Sequence, residues 1–206
     1  MKPSTRTWLS VALFVPLAAI LLATFACLPA PVGDPEKSKV DPALTGIYRA
    51  TPSDPADKTS ELAFLRPWDG NTYYLQYVTT GTRDGKDVRQ MQHFKAWLTT
   101  FAGKTFLTAE PLDDLQYAIP EEGHKPVWVV LRLDKVEGGL EVRLVTPDSE
   151  FIKGLTTREQ LEKAIADHVT EQALYGNTIV FKKLGKNDQA VIDEALSKFD
   201  TTRTNK

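Results

Sequence analysis

The sequence predicts a mainly β domain, a single antiparallel meander of about eight strands that closes into a barrel, with one or two helices near its end. Three observations carry this. Short segments rich in Tyr, Phe, Val and Leu recur at close spacing through the middle of the chain. Turn signals separate them, and helical periodicity is confined to the region after Thr156.

Residues 44–50, 61–66 and 72–79 read as the first three strands. Asp69-Gly70-Asn71 closes one hairpin and Arg83-Asp84-Gly85-Lys86 the next. Residues 88–100 alternate, with Phe94, Ala96 and Leu98 on one face and His93, Lys95 and Thr99 on the other. Gly103-Lys104 turns the chain into residues 105–109. Val127, Val129, Leu131 and Leu133 then alternate with Trp128, Val130, Arg132 and Asp134, and Gly138-Gly139 leads into Leu140, Val142 and Leu144. Seven closely spaced antiparallel strands leave exposed edges unless the sheet curls or closes.

Thr156 and Glu159 have the spacing of a capping box, and Leu161, Ala164, Ile165, His168 and Val169 form the stripe of a helix. Gly176-Asn177 stops it, residues 177–184 read as an eighth strand, and a last helix follows from Asp188 with Ile192, Ala195, Leu196 and Phe199 on one side. A barrel of eight strands is either filled by its own side chains or holds one small ligand.

The chain ahead of the barrel carries an address. Lys2 and Arg6 precede an almost wholly apolar stretch over residues 9–25, and Ala26 precedes Cys27, the sole cysteine. This is the layout of a secretory signal over residues 1–26. The lone thiol at its boundary resembles the lipobox of bacterial lipoproteins, in which the cysteine is acylated and becomes the new N-terminus. Ordinary cleavage at Thr24-Phe25-Ala26 and an uncleaved apolar anchor are the two alternatives. Residues 27–43, with Pro29, Pro31, Pro35 and Pro42, read as a lipidated N-terminus and an extended tether. Such a tether lifts a domain roughly 45 Å from a membrane, at about 3.1 Å per residue. That leaves residues 44–199 for the barrel domain and residues 200–206 as a disordered tail. Leu28 after the cysteine points to the periplasmic face of the outer membrane rather than the inner, by the sorting pattern of enterobacterial lipoproteins.

Composition excludes several classes. The 25 basic residues fall to 23 once Lys2 and Arg6 are removed, against 27 acids, a net charge near −4. A mildly acidic chain without Lys/Arg clusters lacks the footprint of a nucleic-acid binder. A single cysteine cannot form an internal disulfide. His93, His124 and His168 stand far apart, without metal-ligand spacing, so no metal or cofactor is expected. Asp113, Asp114, Glu121 and Glu122 lack the pattern of a calcium loop. No nucleophile elbow, phosphate loop or dinucleotide fingerprint occurs. Aromatic residues are the remaining signal, and Tyr48, Tyr73, Tyr77, Trp97 and Trp128 are the candidates to line a ligand cavity.

Gly46-Ile47-Tyr48 resembles the Gly-x-Trp that opens lipocalin barrels, with Tyr in place of Trp. Phe94-Lys95-Ala96-Trp97-Leu98 continues through Gly103-Lys104-Thr105-Phe106-Leu107 into an acidic loop with His124 and then a strand. This order is similar to that of uncharacterised bacterial envelope lipoproteins with a lipocalin-like, calycin-type barrel. The resemblance implies a lipid-anchored envelope protein and brings no catalytic residues with it, so no enzyme is expected; the aromatic residues point to an apolar small molecule or an envelope protein as partner. Three functions follow as expectations. The first is a tethered binding or accessory module, the second a solid-barrel subunit of an envelope complex, the third a hydrolase acting near His124.

Overall fold

The computed structural model describes residues 28–51, 58–83, 85–112 and 128–200. Cys27 and the apolar stretch before it, the four carboxylates of the acidic loop, His124 and the 201–206 tail lie outside them. The strands are β1 (Gly46–Ala50), β2 (Lys58–Pro67), β3 (Tyr73–Arg83), β4 (Lys86–Phe101), β5 (Lys104–Pro111), β6 (Val129–Val136), β7 (Gly139–Val145) and β8 (Tyr175–Lys183). They form a closed antiparallel barrel in chain order, with β8 returning to β1, as the lipocalin-like expectation has it. The seam is short. Tyr48, Arg49 and Ala50 face Lys183, Lys182 and Phe181. Two further backbone bonds lengthen it, from Thr51 N–H to Val180 O and from Leu184 N–H to Ile47 O, both 2.8 Å.

Period-two alternation sets the wall. Leu65 faces Leu75, which faces Phe94, and Ala63 faces Tyr77 in the same interior row. Gly139 allows β7 to approach β8, since a Cβ there would stand 1.9 Å from Phe181 O. At the β4–β5 hairpin both central residues have positive φ, Ala102 at 46° and Gly103 at 76°, the geometry that matches strand twist.

Two helices cover the outside. α1 (Arg158–Asp167) starts one residue later than the sequence suggests, because Thr157 and Gln160, not Thr156 and Glu159, make the capping box. Both pairs have the required spacing and chemistry, so spacing alone does not choose between them. Leu161 and Ile165 of α1, both fully buried, pack with Phe106 and Val130 against the outer face of β5 and β6. α2 (Gln189–Asp200) sets Ala195 against Leu62 and Val78 on the outer face of β2 and β3.

The proline-rich segment before β1 is not the free tether its composition suggests. Leu28, Val32 and Leu44 are 1%, 0% and 2% exposed. Leu28 and Trp128 exchange backbone hydrogen bonds of 2.7 and 3.2 Å. Val32 O accepts from Trp97 Nε1 at 2.9 Å and from Thr108 Oγ1 at 2.7 Å. Gly33 N–H donates to Glu162 of α1 at 2.9 Å, and Ser38 Oγ accepts from Leu98 N–H at 2.9 Å. Proline has no N–H to place in a ladder. The strap therefore holds on without a continuous ladder, through Val32 O, the N–H groups of Leu28 and Gly33, the Ser38 hydroxyl and its apolar side chains.

Gly33 has φ 76°, and a Cβ there would lie 2.8 Å from Thr99 Cβ. Gly33→Ala is expected to cost about 1–3 kcal/mol in urea unfolding, from a strained backbone and a clash at the wall. An unchanged midpoint would show that the strap does not contribute to stability.

Candidate functional site

One end of the barrel is plugged. Pro42–Leu44 form a single 3-10 turn capped by Asp41, whose side chain accepts from Ala43 N–H. Leu44 enters the interior cluster, and Tyr48 Oη donates to Leu44 O at 2.8 Å. Tyr73 Oη accepts from Asp41 N–H at 2.5 Å and donates to Asp41 O at 3.1 Å. Lys135 pairs with the Asp41 carboxylate at 3.1 Å, and Lys183 Nζ reaches Ala43 O at 3.0 Å while standing 5.6 Å from the Tyr48 ring centroid. The Ala43 N–H, then Lys135, hold the Asp41 carboxyl below its ordinary range.

Above the plug the interior is hollow, with a cavity of about 100 Å³. Its wall is almost wholly apolar. Leu65, Leu75 and Phe94 form one side, Leu131, Leu133 and Val142 the other, and Tyr48 and Phe181 lie towards the plug. Ala63 and Ala109 are the small residues in this lining. An engineered apolar cavity of about 150 Å³ stays dry and takes up benzene, so this one suits a small ring or a short alkyl segment.

The end away from the plug is more polar. Tyr77 lines the cavity and donates its hydroxyl to Glu61 Oε2 at 2.6 Å. Glu61 and Thr79, 7% and 2% exposed, face each other across β2 and β3 on the interior side. Asn177, an exposed residue of β8, forms part of the lining at this end. The site thus grades from an apolar floor to a polar rim.

The five aromatic candidates separate. Tyr48 and Tyr77 line the cavity. Tyr73 points inward but belongs to the plug. Trp97, 2% exposed, lies on the outer face beneath the strap. Trp128, half-buried, flanks β6 beside Leu28. These two are not in the cavity wall because the strap gives the outer face an apolar covering of its own. The residues that do line it, Leu107, Val129, Leu144 and Ile179 among them, carried an alternation signal without a sign. Val129 and Val130 are both buried, one inside and one under the strap, so alternation could not say which face was interior.

The remaining histidines have structural partners. His93 faces outward and its Nδ1 meets Tyr74 Oη, with the rings 5.5 Å apart. His168 caps α1 and stacks on Phe151 at 4.0 Å. Among the described residues no group of three His, Cys, Asp or Glu is placed to hold a metal ion, and no helix is long and apolar enough to cross a membrane.

No family model, curated protein or solved structure matches this chain.

Burial pushes the Tyr48 and Tyr73 hydroxyls up from their ordinary value of 10.0. A raised phenol means that the folded state holds its proton longer than the unfolded chain does. The stability they contribute is therefore complete below about pH 10 and lost as pH rises above it. Urea midpoints should hold from about pH 8 to about pH 10 and fall by about pH 11, and fall less in Tyr48→Phe/Tyr73→Phe. Parallel curves for the two proteins would remove the tyrosines as the cause.

Proposed function

We propose that this protein is a membrane-tethered, non-enzymatic module of the bacterial cell envelope that binds a small apolar or amphipathic molecule in its barrel. The cavity supports this reading most directly. A solid barrel acting only as a subunit would fill its interior at native packing density. Here a space bounded by aliphatic and aromatic side chains ends in a polar rim, the arrangement that accepts an apolar body and leaves a polar end near water. The tether is read from the signal-like N-terminus and Cys27, and acylation there supplies the several chains that stable anchoring needs.

Titration with straight-chain alcohols from hexanol to dodecanol tests the cavity by calorimetry and by chemical shifts of lining residues. The wild-type protein should bind saturably. Ala109→Leu, which adds bulk to the wall, should weaken binding at least about tenfold, the equivalent of ~1.4 kcal/mol, and keep the fold. Absence of saturable binding to the wild type would overturn the carrier reading.

The anchor has its own test. The chain expressed with its full N-terminus in an export-competent bacterium should fractionate with membranes, and intact mass should show an acylated species starting at Cys27. Cys27→Ser should abolish the acylated species. A wild-type chain that keeps residues 1–26 and carries no acyl group would replace the acyl anchor with the uncleaved apolar segment.

A further inference from the structure

The strap enters the fold at a defined end of the barrel. Leu28 pairs with Trp128, the residue directly before β6. The first β6 residue, Val129, pairs with Ala109 towards the end of β5. This is the end opposite the plug, the same end at which Asn177 lines the cavity. From Leu28 the strap descends the wall, through Val32 at Trp97 and Thr108, to Ser38 at Leu98 and the plug at Pro42–Leu44. It spends its length on the height of the barrel, and none is left over as a spacer.

We infer that the membrane lies against the polar rim of the barrel, so that the cavity faces the bilayer and the plug points away from it. This rests on the proposed anchor at residues 9–27. Consecutive Cα atoms stand about 3.8 Å apart, so a lipid carried on Cys27 is attached within one residue of the rim. An eight-residue strand at barrel tilt rises roughly 20 Å, which places the plug that much farther from the headgroups. Half-buried Trp128 sits beside the attachment point, and tryptophan is the side chain most at home in the headgroup layer. In this orientation the more polar end of the cavity, with Tyr77, Glu61 and Asn177, is the end nearer the headgroups.

The test uses the full chain reconstituted into phosphatidylethanolamine/phosphatidylglycerol vesicles. An azide-bearing residue replaces either exposed Lys86, at the rim end of β4, or exposed Glu137, at the plug-end turn between β6 and β7, and carries a fluorophore. Phospholipid with a nitroxide on its headgroup serves as quencher. Quenching should be several-fold stronger at position 86 than at position 137. Equal quenching, or stronger quenching at 137, in vesicle-bound protein overturns the orientation and leaves the anchor standing. Protein that stays in the aqueous phase overturns the anchor, and the orientation with it.

Discussion

A single backbone oxygen organises much of this molecule. Val32 O accepts from the indole of Trp97 and the hydroxyl of Thr108, and both donors are buried on the outer wall. A buried donor left without an acceptor costs about 1–3 kcal/mol, so the wall needs the strap as much as the strap needs the wall. With Val32 held there, Gly33 turns against Thr99, Ser38 meets Leu98, and the chain arrives at the base of the barrel with Leu44 aimed inward. The plug, the floor of the cavity and the place where the chain enters the fold all follow from that one attachment.

The strap also explains how the barrel can be hollow. Phe106, Val130 and Val145 on the outer wall pack with Leu28, Val32, Leu161 and Ile165 in a cluster separate from the barrel interior. Leu62, Val78 and Ala195 form a third, under α2. An unfilled space of about 100 Å³ costs on the order of 2 kcal/mol. A barrel whose only core was its interior would feel that loss in every strand. Here the wall is stabilised from outside as well, and the interior is released from the need to pack at full density.

Much of the fold was legible in the sequence because its signals are local. Period-two alternation, the Asp69-Gly70-Asn71 and Gly138-Gly139 turns and the Leu161–Ile165 stripe depend on a few neighbours each, and strand number and order follow from them. What was not legible depends on distant partners. Trp97 is an aromatic on a strand whether it faces a cavity or lies under a strap, and only the path of residues 28–33 decides. Tyr48, Tyr73 and Tyr77 do point inward, yet plug and cavity divide them by position along the barrel, Tyr73 at the plug end of β3 and Tyr77 four residues nearer the other end. The acidic loop and His124, where the sequence offers its candidate hydrolytic site, lie outside the described residues.

The proline-rich segment shows where composition misleads and what would have corrected it. Prolines keep a chain extended whether it is in solvent or laid along a wall, so their number does not separate a spacer from a strap. The residues between them do. A spacer has no use for apolar side chains, whereas Leu28, Val32, Val40 and Leu44 stand four or eight residues apart among the prolines and charges of this segment. Three of the four are buried and the fourth packs partly against the interior cluster. Had they been polar, residues 28–44 would be free to hold the domain away from whatever anchors it. Because they are not, the segment becomes part of the domain, and residues 28–44 run along the barrel wall from one end to the other.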